Sequence, residues 1–363
     1  MQVKKNEYEA RLADLRGRLA ARRLDAALVF DPANVRALTG IVCDNACLKV
    51  LPKGARGRGV VFYTDFRYVP MVRRVAPWIT LRDISKVAFE GRRIGYESSI
   101  TVARYQRLRK GRGRTVFVDI LDDLHALRAM KTASERDALR AAEALNDAIW
   151  QEASAQFRAG MTERQMARLI QHLMIERGEG EAFDTIVCVG ANAAECHHVP
   201  DDTVWNGREP LLVDMGVKLN GFCSDMTRCL KPGSRPAGTA ASAGRRARAG
   251  LYEKVYDLVL EANRAAIAAA RPGITCRELD AVARDFLAQH GYGKAFGHSL
   301  GHGVGLEIHE APTVSRRSET VLKPGMAVTI EPGVYLEGNL GVRIEDLVLI
   351  TEDGCEVISH SRK

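Results

Sequence analysis

The sequence predicts an α/β chain of two domains, the first a mixed sheet with covering helices and the second a mixture of helices and β-hairpins. Three observations support this. At 363 residues the chain is too long for one ordinary core. Its first third alternates helix-like and strand-like segments, the pattern of a sheet with helical connections. Its second part sets long amphipathic helices beside strand-like runs that carry acidic residues in apolar surroundings.

In chain order, residues 8–23 have helical periodicity, with Leu12, Leu15 and Leu19 on one face. Residues 25–30 (DAALVF) read as a buried strand, and residues 58–65, 92–97 and 115–120 as three more. Residues 126–157 read as one helix, with Ser134 and Asp137 at its cap. The domain boundary falls just before it, near residues 122–128, giving domains of 1–125 and 126–363. Residues 161–178 form a helix that Thr162 caps and Gly178 stops. Residues 252–270 and 276–290 are further helices. The segment between them and the preceding hairpin, residues 232–250, is biased in composition and reads as a loop.

Composition narrows the function. Hydrophobic residues are 46% and charged residues 27%, ordinary values for a soluble globular chain. No apolar run is long enough for a bilayer, and the charged N-terminus lacks an export core, so the sequence predicts a cytoplasmic protein with no membrane partner. The net charge of +8 is spread along the chain among 45 acidic residues. Its densest patches, residues 107–114 (RLRKGRGR) and 244–248 (GRRAR), are Gly-containing and lack interleaved aromatics. They read as solvated loop surface, and no nucleic-acid partner is expected. The eight cysteines form no CxxC pair and read as free thiols.

The chemistry lies in three segments. In residues 211–229 two strand-like runs flank KLNG. A turn centred between Leu219 and Asn220 would set Asp214 directly opposite Asp225, with Cβ atoms about 4.5–5.5 Å apart. Two carboxylates that close repel unless a cation lies between them. In residues 327–335 and 341–350, Glu331 ends one apolar run and Glu345 interrupts another. A buried Glu in a strand needs an ion partner or a metal. Arg343, on the same strand face as Glu345, offers the first; the neighbouring acidic hairpin favours the second. Between the two pairs, residues 296–312 (FGHSLGHGVGLEIHEAP) hold His298, His302 and His309, with glycines that let the backbone bulge. Four carboxylates and an imidazole fit two hard or borderline divalent cations, Mn²⁺ ahead of Co²⁺ or Zn²⁺. Two such ions suit hydrolysis by a bridging hydroxide.

The motifs DMGVKLNGFCSDMTR, GHGVGLEIHEAP, TIEPGVY and GVRIED, in this order, resemble those of the pita-bread metallopeptidases, in the branch of Xaa-Pro aminopeptidases and Xaa-Pro dipeptidases (prolidases). The resemblance covers residues 126–363 and implies a pita-bread fold there. It implies that Asp214 chelates one metal, that Asp225 and Glu345 bridge, and that His302 and Glu331 complete the other site. It further implies that Glu331 takes a proton from the bridging water. His309 would hydrogen-bond the substrate and stabilise the tetrahedral intermediate. His197, in AECHHVPDD, and His298 would stand on the substrate side, with Arg343 as a further substrate contact. Residues 24–40 and 63–68 resemble the creatinase-type N-terminal domain of the same branch, which implies a homodimer.

The implied function is metal-dependent hydrolysis of the peptide bond before proline, in small peptides with proline second. Dipeptidase and aminopeptidase action are left open. The rivals are a hydrolase or lyase of the same fold acting on a non-peptide molecule, and a non-enzymatic nucleic-acid-binding module. The sequence departs from the family pattern at Cys196, where Pro is usual, at His198, where Gly is common, and in the long basic segment 232–250. Cys223, two residues before Asp225, and Cys196 are expected to lie near the metals.

Overall fold

The computed structural model describes residues 2–55, 59–231 and 243–363. The chain divides into two compact units, Met1–Arg128 and Ala129–Lys363.

The first unit opens with helix α1 (Gln2–Ala21), whose Leu12, Leu15 and Leu19 are buried as their spacing predicts. Strands β1 (Ala26–Val29), β2 (Ala46–Val50), β3 (Val60–Thr64), β4 (Thr80–Asp83), β5 (Arg93–Tyr96) and β6 (Val116–Asp119) form one sheet in the order β4-β3-β2-β1-β5-β6. The β1–β2 and β2–β3 pairs are antiparallel; the other three are parallel, so the sheet is mixed. Leu12, Leu15 and Leu19 share a core with Val29, Leu48 and Phe62. A short helix, Pro32–Thr39, went unread in the sequence because it is too brief to show periodicity. Its signals are local: Asp31 caps it by accepting from Asn34 N, and Pro32 starts it. The basic patch 107–114 begins in a helix, Val102–Arg109, not in a loop.

Around the boundary between the units there are two helices where one is expected. Helix Leu121–Ala129 ends at the unit boundary, and helix Ala133–Gln156 begins afresh. The new start has a capping box of Thr132 and Glu135, which displaces the expected Ser134–Asp137 cap. The next helix, Glu163–Arg177, has Thr162 and Gln165 as its capping box and Gly178 at its C-cap, as read from the sequence. Strands Ile186–Val189, Leu211–Met215 and Met226–Leu230 form a three-stranded sheet, packed on these helices through Ile149, Trp150, Phe157, Met166 and Ile170.

A long helix, Ala243–Ala269, starts nine residues earlier than expected, so the GRRAR patch is helical. Residues 232–242 of the expected loop lie outside the described residues. Helix Cys276–Gln289 follows, capped by Thr275 and Glu278. These two helices bury Val255, Val259, Leu279 and Ala283 against Val328, Val342 and Val348. The strands there belong to a five-stranded sheet (Glu310–Val314, Gly301–Gly303, Ala327–Ile330, Asp346–Ile350, Cys355–Val357, in spatial order) and a two-stranded one, Gly333–Leu336 with Leu340–Arg343. Among the described residues no helix is long and apolar enough to cross a membrane, and the eight cysteines are free.

Candidate metal centre

The first acidic hairpin turns at Asn220-Gly221, where both residues are left-handed, with φ of 52° and 74°. That is the two-residue turn whose twist matches antiparallel strands, and Asn-Gly is its preferred sequence. Leu219 therefore pairs with Phe222, and Asp214 pairs with Thr227. The expected register is corrected by this: Asp225 is not directly opposite Asp214 but two residues along the same strand face from Thr227. The ladder also opens there, since Ser224 and Asp225 belong to no strand. The freed Asp225 N donates to Glu143 Oε2 at 3.0 Å.

The second hairpin opens at its carboxylates too. Gly333 pairs with Arg343, and Ile330 pairs with Asp346. One register thus runs through both pairs of strands and sets Glu331 opposite Glu345 in the gap between them. The expected continuous strands are each split in two, because Pro332 has no N–H to donate and the flanking amides turn elsewhere. Glu331 N donates to Leu300 O at 2.8 Å, and Glu345 N to Thr227 O at 3.3 Å.

The histidine segment supplies the fifth group. His302 lies in Gly301–Gly303, at a bulge between His302 and Gly303. Its Nδ1 is 3.1 Å from Gly303 O, which fixes the proton there and leaves Nε2 as a lone-pair donor. Nε2 lies 3.5 Å from Asp225 Oδ2 and 3.4 Å from Glu331 Oε1. Asp225, His302 and Glu345 each bring one ligand atom within 4.8 Å of the others.

The electrostatics call for cations. Burial, then the charges of Glu345 and Asp214, push the Asp225 carboxyl well above the usual carboxylate range. Burial, then Glu331 and Asp214, do the same to Glu345. Burial, opposed by Arg343, raises Glu331 to about 8. The imidazole offers no relief, because burial lowers His302 to about 4 and keeps it neutral. Arg343 is spent on Asp214, with Nη2 to Oδ2 at 2.6 Å, so the Arg343–Glu345 ion pair that the sequence disfavoured is not found among the described residues. Thr227 Oγ1 instead donates to Glu345 Oε2 at 2.7 Å and accepts from Arg343 Nε at 3.0 Å. Asp214 Oδ1 is buried with no hydrogen-bond partner among the described residues. A buried oxygen without a donor, among carboxylates that repel, fits divalent cations held by Asp214, Asp225, His302, Glu331 and Glu345.

The other expected site residues lie around this cluster. The His309 ring is 4.4 Å from the His302 ring and is exposed. His298 Nδ1 donates to Ser299 O at 2.8 Å, and Tyr335 OH donates to His298 Nε2 at 2.8 Å. Burial, then Arg343 and more weakly Arg284 and His197, lower His298 to about 4. Arg343 Nη1 donates to Tyr335 OH at 2.9 Å. Thr227, Tyr335 and Glu143 escaped the sequence reading. Thr227 had a signal, its period-two spacing from Asp225; Glu143 had none, being one acid in a charged helix. Cys223 Sγ packs against Leu306 O at 3.9 Å. Cys196 is half-buried, close enough to contribute to the raised Tyr335 hydroxyl, though burial is the main cause there.

Comparison with known proteins agrees with this architecture. Residues 137–352 match metallopeptidase family M24, and residues 11–130 match the creatinase/prolidase N-terminal domain. An Xaa-Pro dipeptidase from Pyrococcus furiosus is 37% identical over 271 residues, 74% of either chain. The prolidase structure from Pyrococcus horikoshii superposes with a TM-score of 0.88 at 31% identity, covering 98% of this chain and 99% of that one. The X-Pro aminopeptidase from Thermotoga maritima superposes at 0.80 with 30% identity, covering 93% and 96%. The chain belongs to metallopeptidase family M24, with a creatinase-like N-terminal domain and a pita-bread catalytic domain.

Proposed function

We propose that the chain is an exopeptidase that hydrolyses the peptide bond preceding proline in small peptides. The observation that carries this reading is the convergence of Asp214, Asp225, His302, Glu331 and Glu345 where two hairpins open, with a buried Asp214 oxygen lacking a donor. The prolidase and X-Pro aminopeptidase neighbours supply the substrate class. Two divalent ions, Mn²⁺ by preference, supply Lewis acidity and an activated water when bound.

The protein's own groups do the rest. Glu331 receives the proton of the attacking water. His309, exposed beside His302, donates to the carbonyl oxygen as it gains charge. His197 and His298 line the substrate side. Arg343 holds Asp214 and, through Tyr335, orients His298. We assign this chemistry to residues 126–363 and a substrate-limiting role to residues 1–125, in a cytoplasmic homodimer.

The test is turnover by Mn²⁺-loaded protein of Xaa-Pro dipeptides, Xaa-Pro-Xaa tripeptides and matched peptides without proline. Metal-dependent cleavage confined to the proline peptides is expected, and the preferred length distinguishes dipeptidase from aminopeptidase. Bound metal without turnover of any proline peptide would transfer the fold to a non-peptide substrate.

A further inference from the structure

One buried carboxylate outside the metal centre organises the segment that carries His197. Glu163 opens the helix Glu163–Arg177 and is fully buried. A negative charge is favoured at a helix N-terminus. Its Oε1 accepts from Val189 N at 2.6 Å and from Asn192 Nδ2 at 2.9 Å. Its Oε2 accepts from Asp201 N at 3.1 Å and from His198 Nε2 at 2.7 Å. The helix also receives the segment's far end, with Glu163 N donating to Thr203 O at 3.1 Å and Arg164 N to Asp201 O at 3.0 Å. The near end is pressed on the strand that carries Arg343: a Cβ on Gly341 would lie 1.6 Å from Ala193 O. Residues 189–203 are therefore tied down at both ends and in the middle, and the middle tie is His198.

His198 is buried for most of its ring, whereas its neighbour His197 is exposed. His198 thus turns inward to Glu163 while His197 reaches the surface. The charged groups around His198 are Glu163 from the helix and Glu195 and Asp201 from the segment itself. Glu163 is the one in hydrogen-bond contact with its Nε2.

We infer that Glu163 and His198 form a positioning pair that sets His197 for substrate binding. The inference rests on the substrate-side role given to His197 above. It also gives a reason for an imidazole at position 198 where a glycine would leave Glu163 Oε2 with one donor fewer. Among the described residues neither member of the pair has a hydrogen bond or ion pair to a candidate metal ligand, so its loss should leave metal binding alone.

The experiment compares wild type, His198→Gly and His198→Gln, all loaded with Mn²⁺. His198→Gly should raise KM for an Xaa-Pro dipeptide about tenfold, the scale of one hydrogen bond to a charged group. Its kcat and metal content should stay near wild type. His198→Gln, whose amide N–H can reach Glu163, should recover most of the loss. Hydrogen exchange supplies a second measurement that needs no turnover: amides of residues 195–201 should exchange faster in the glycine variant, while those of Leu211–Met215 do not change. An unchanged KM, or equal loss in the glycine and glutamine variants, overturns the positioning role. Unchanged exchange at residues 195–201 overturns the clamp itself. A wild type inactive on proline peptides removes the substrate reading alone, and exchange still decides the clamp.

Discussion

Thr227 has one hydroxyl and two charged clients: it donates to Glu345 and accepts from Arg343. It is fully buried, so no water replaces it. Thr227→Val keeps the shape and removes both bonds. The variant should lose about 1–3 kcal/mol of stability, the cost of buried polar groups left short of partners, and should bind metal more weakly because Glu345 loses its anchor. Denaturant titration and metal titration check the two effects separately. The proposed bridging residues are tested more directly. Asp225→Asn and Glu345→Gln should each remove both metals and all activity; elemental analysis finding two ions per chain in either variant would falsify the bridging assignment. His309 is separable from binding, because it lies beside the cluster and not in it. His309→Ala should retain its metals and lose mainly kcat, by about 10²-fold or more, the usual size of a transition-state hydrogen bond or proton-transfer contribution. A variant with wild-type kcat would show that this histidine has been misassigned.

At the scale of elements, what was legible depended on whether the signal was periodic or local. The Leu12, Leu15 and Leu19 stripe and the Thr162 cap are repeated or self-contained patterns, and the structure has them. The registers were harder. The Asn220-Gly221 turn was visible in KLNG, but centring it one residue early moved every pairing by two, and Asp214 met Thr227 instead of Asp225. The split of the second hairpin followed from Pro332 and from amides bonded to distant segments, partners that a local reading does not contain. The segment 189–203 is the extreme case, since its order comes from Glu163 across the fold. Its pH dependence follows from that contact. Burial lowers the His198 pKa, but the hydrogen bond and charge of Glu163 outweigh it, so the net shift is upward. A pKa raised on folding means that the folded state binds the proton more tightly. The contribution is full below the ordinary histidine value of about 6.5 and is lost as pH rises through the folded value. The stability gap between wild type and His198→Gln should therefore be larger at acidic than at alkaline pH. A gap that widens with pH would contradict the charge-assisted bond.

At the scale of the whole molecule, the five candidate ligands all lie in the unit Ala129–Lys363, and they come from separate segments of it. Asp214 and Asp225 belong to the first hairpin, Glu331 and Glu345 to the second, and His302 to a bulged strand between them in sequence. Ions bound there hold together strands of three different sheets, and any ion that binds the folded state alone stabilises it. The first unit has its own six-stranded sheet and core and supplies none of these ligands. At metal concentrations near 100 times Kd the gain is about 2.7 kcal/mol for each ion, and for a unit of this size one such ion alone corresponds to roughly 5–10 °C in Tm. Removing metal with a chelator should therefore lower the melting transition of residues 129–363 by at least that amount, with faster amide exchange in Asp346–Ile350 and Leu211–Met215. Exchange in the sheet of residues 26–119 should change little. The Asp225→Asn variant should show no chelator response, because it has no ions to lose. A chelator shift of equal size in that variant, or protection lost first from the N-terminal sheet, would place the stabilising ions somewhere other than the two opened hairpins.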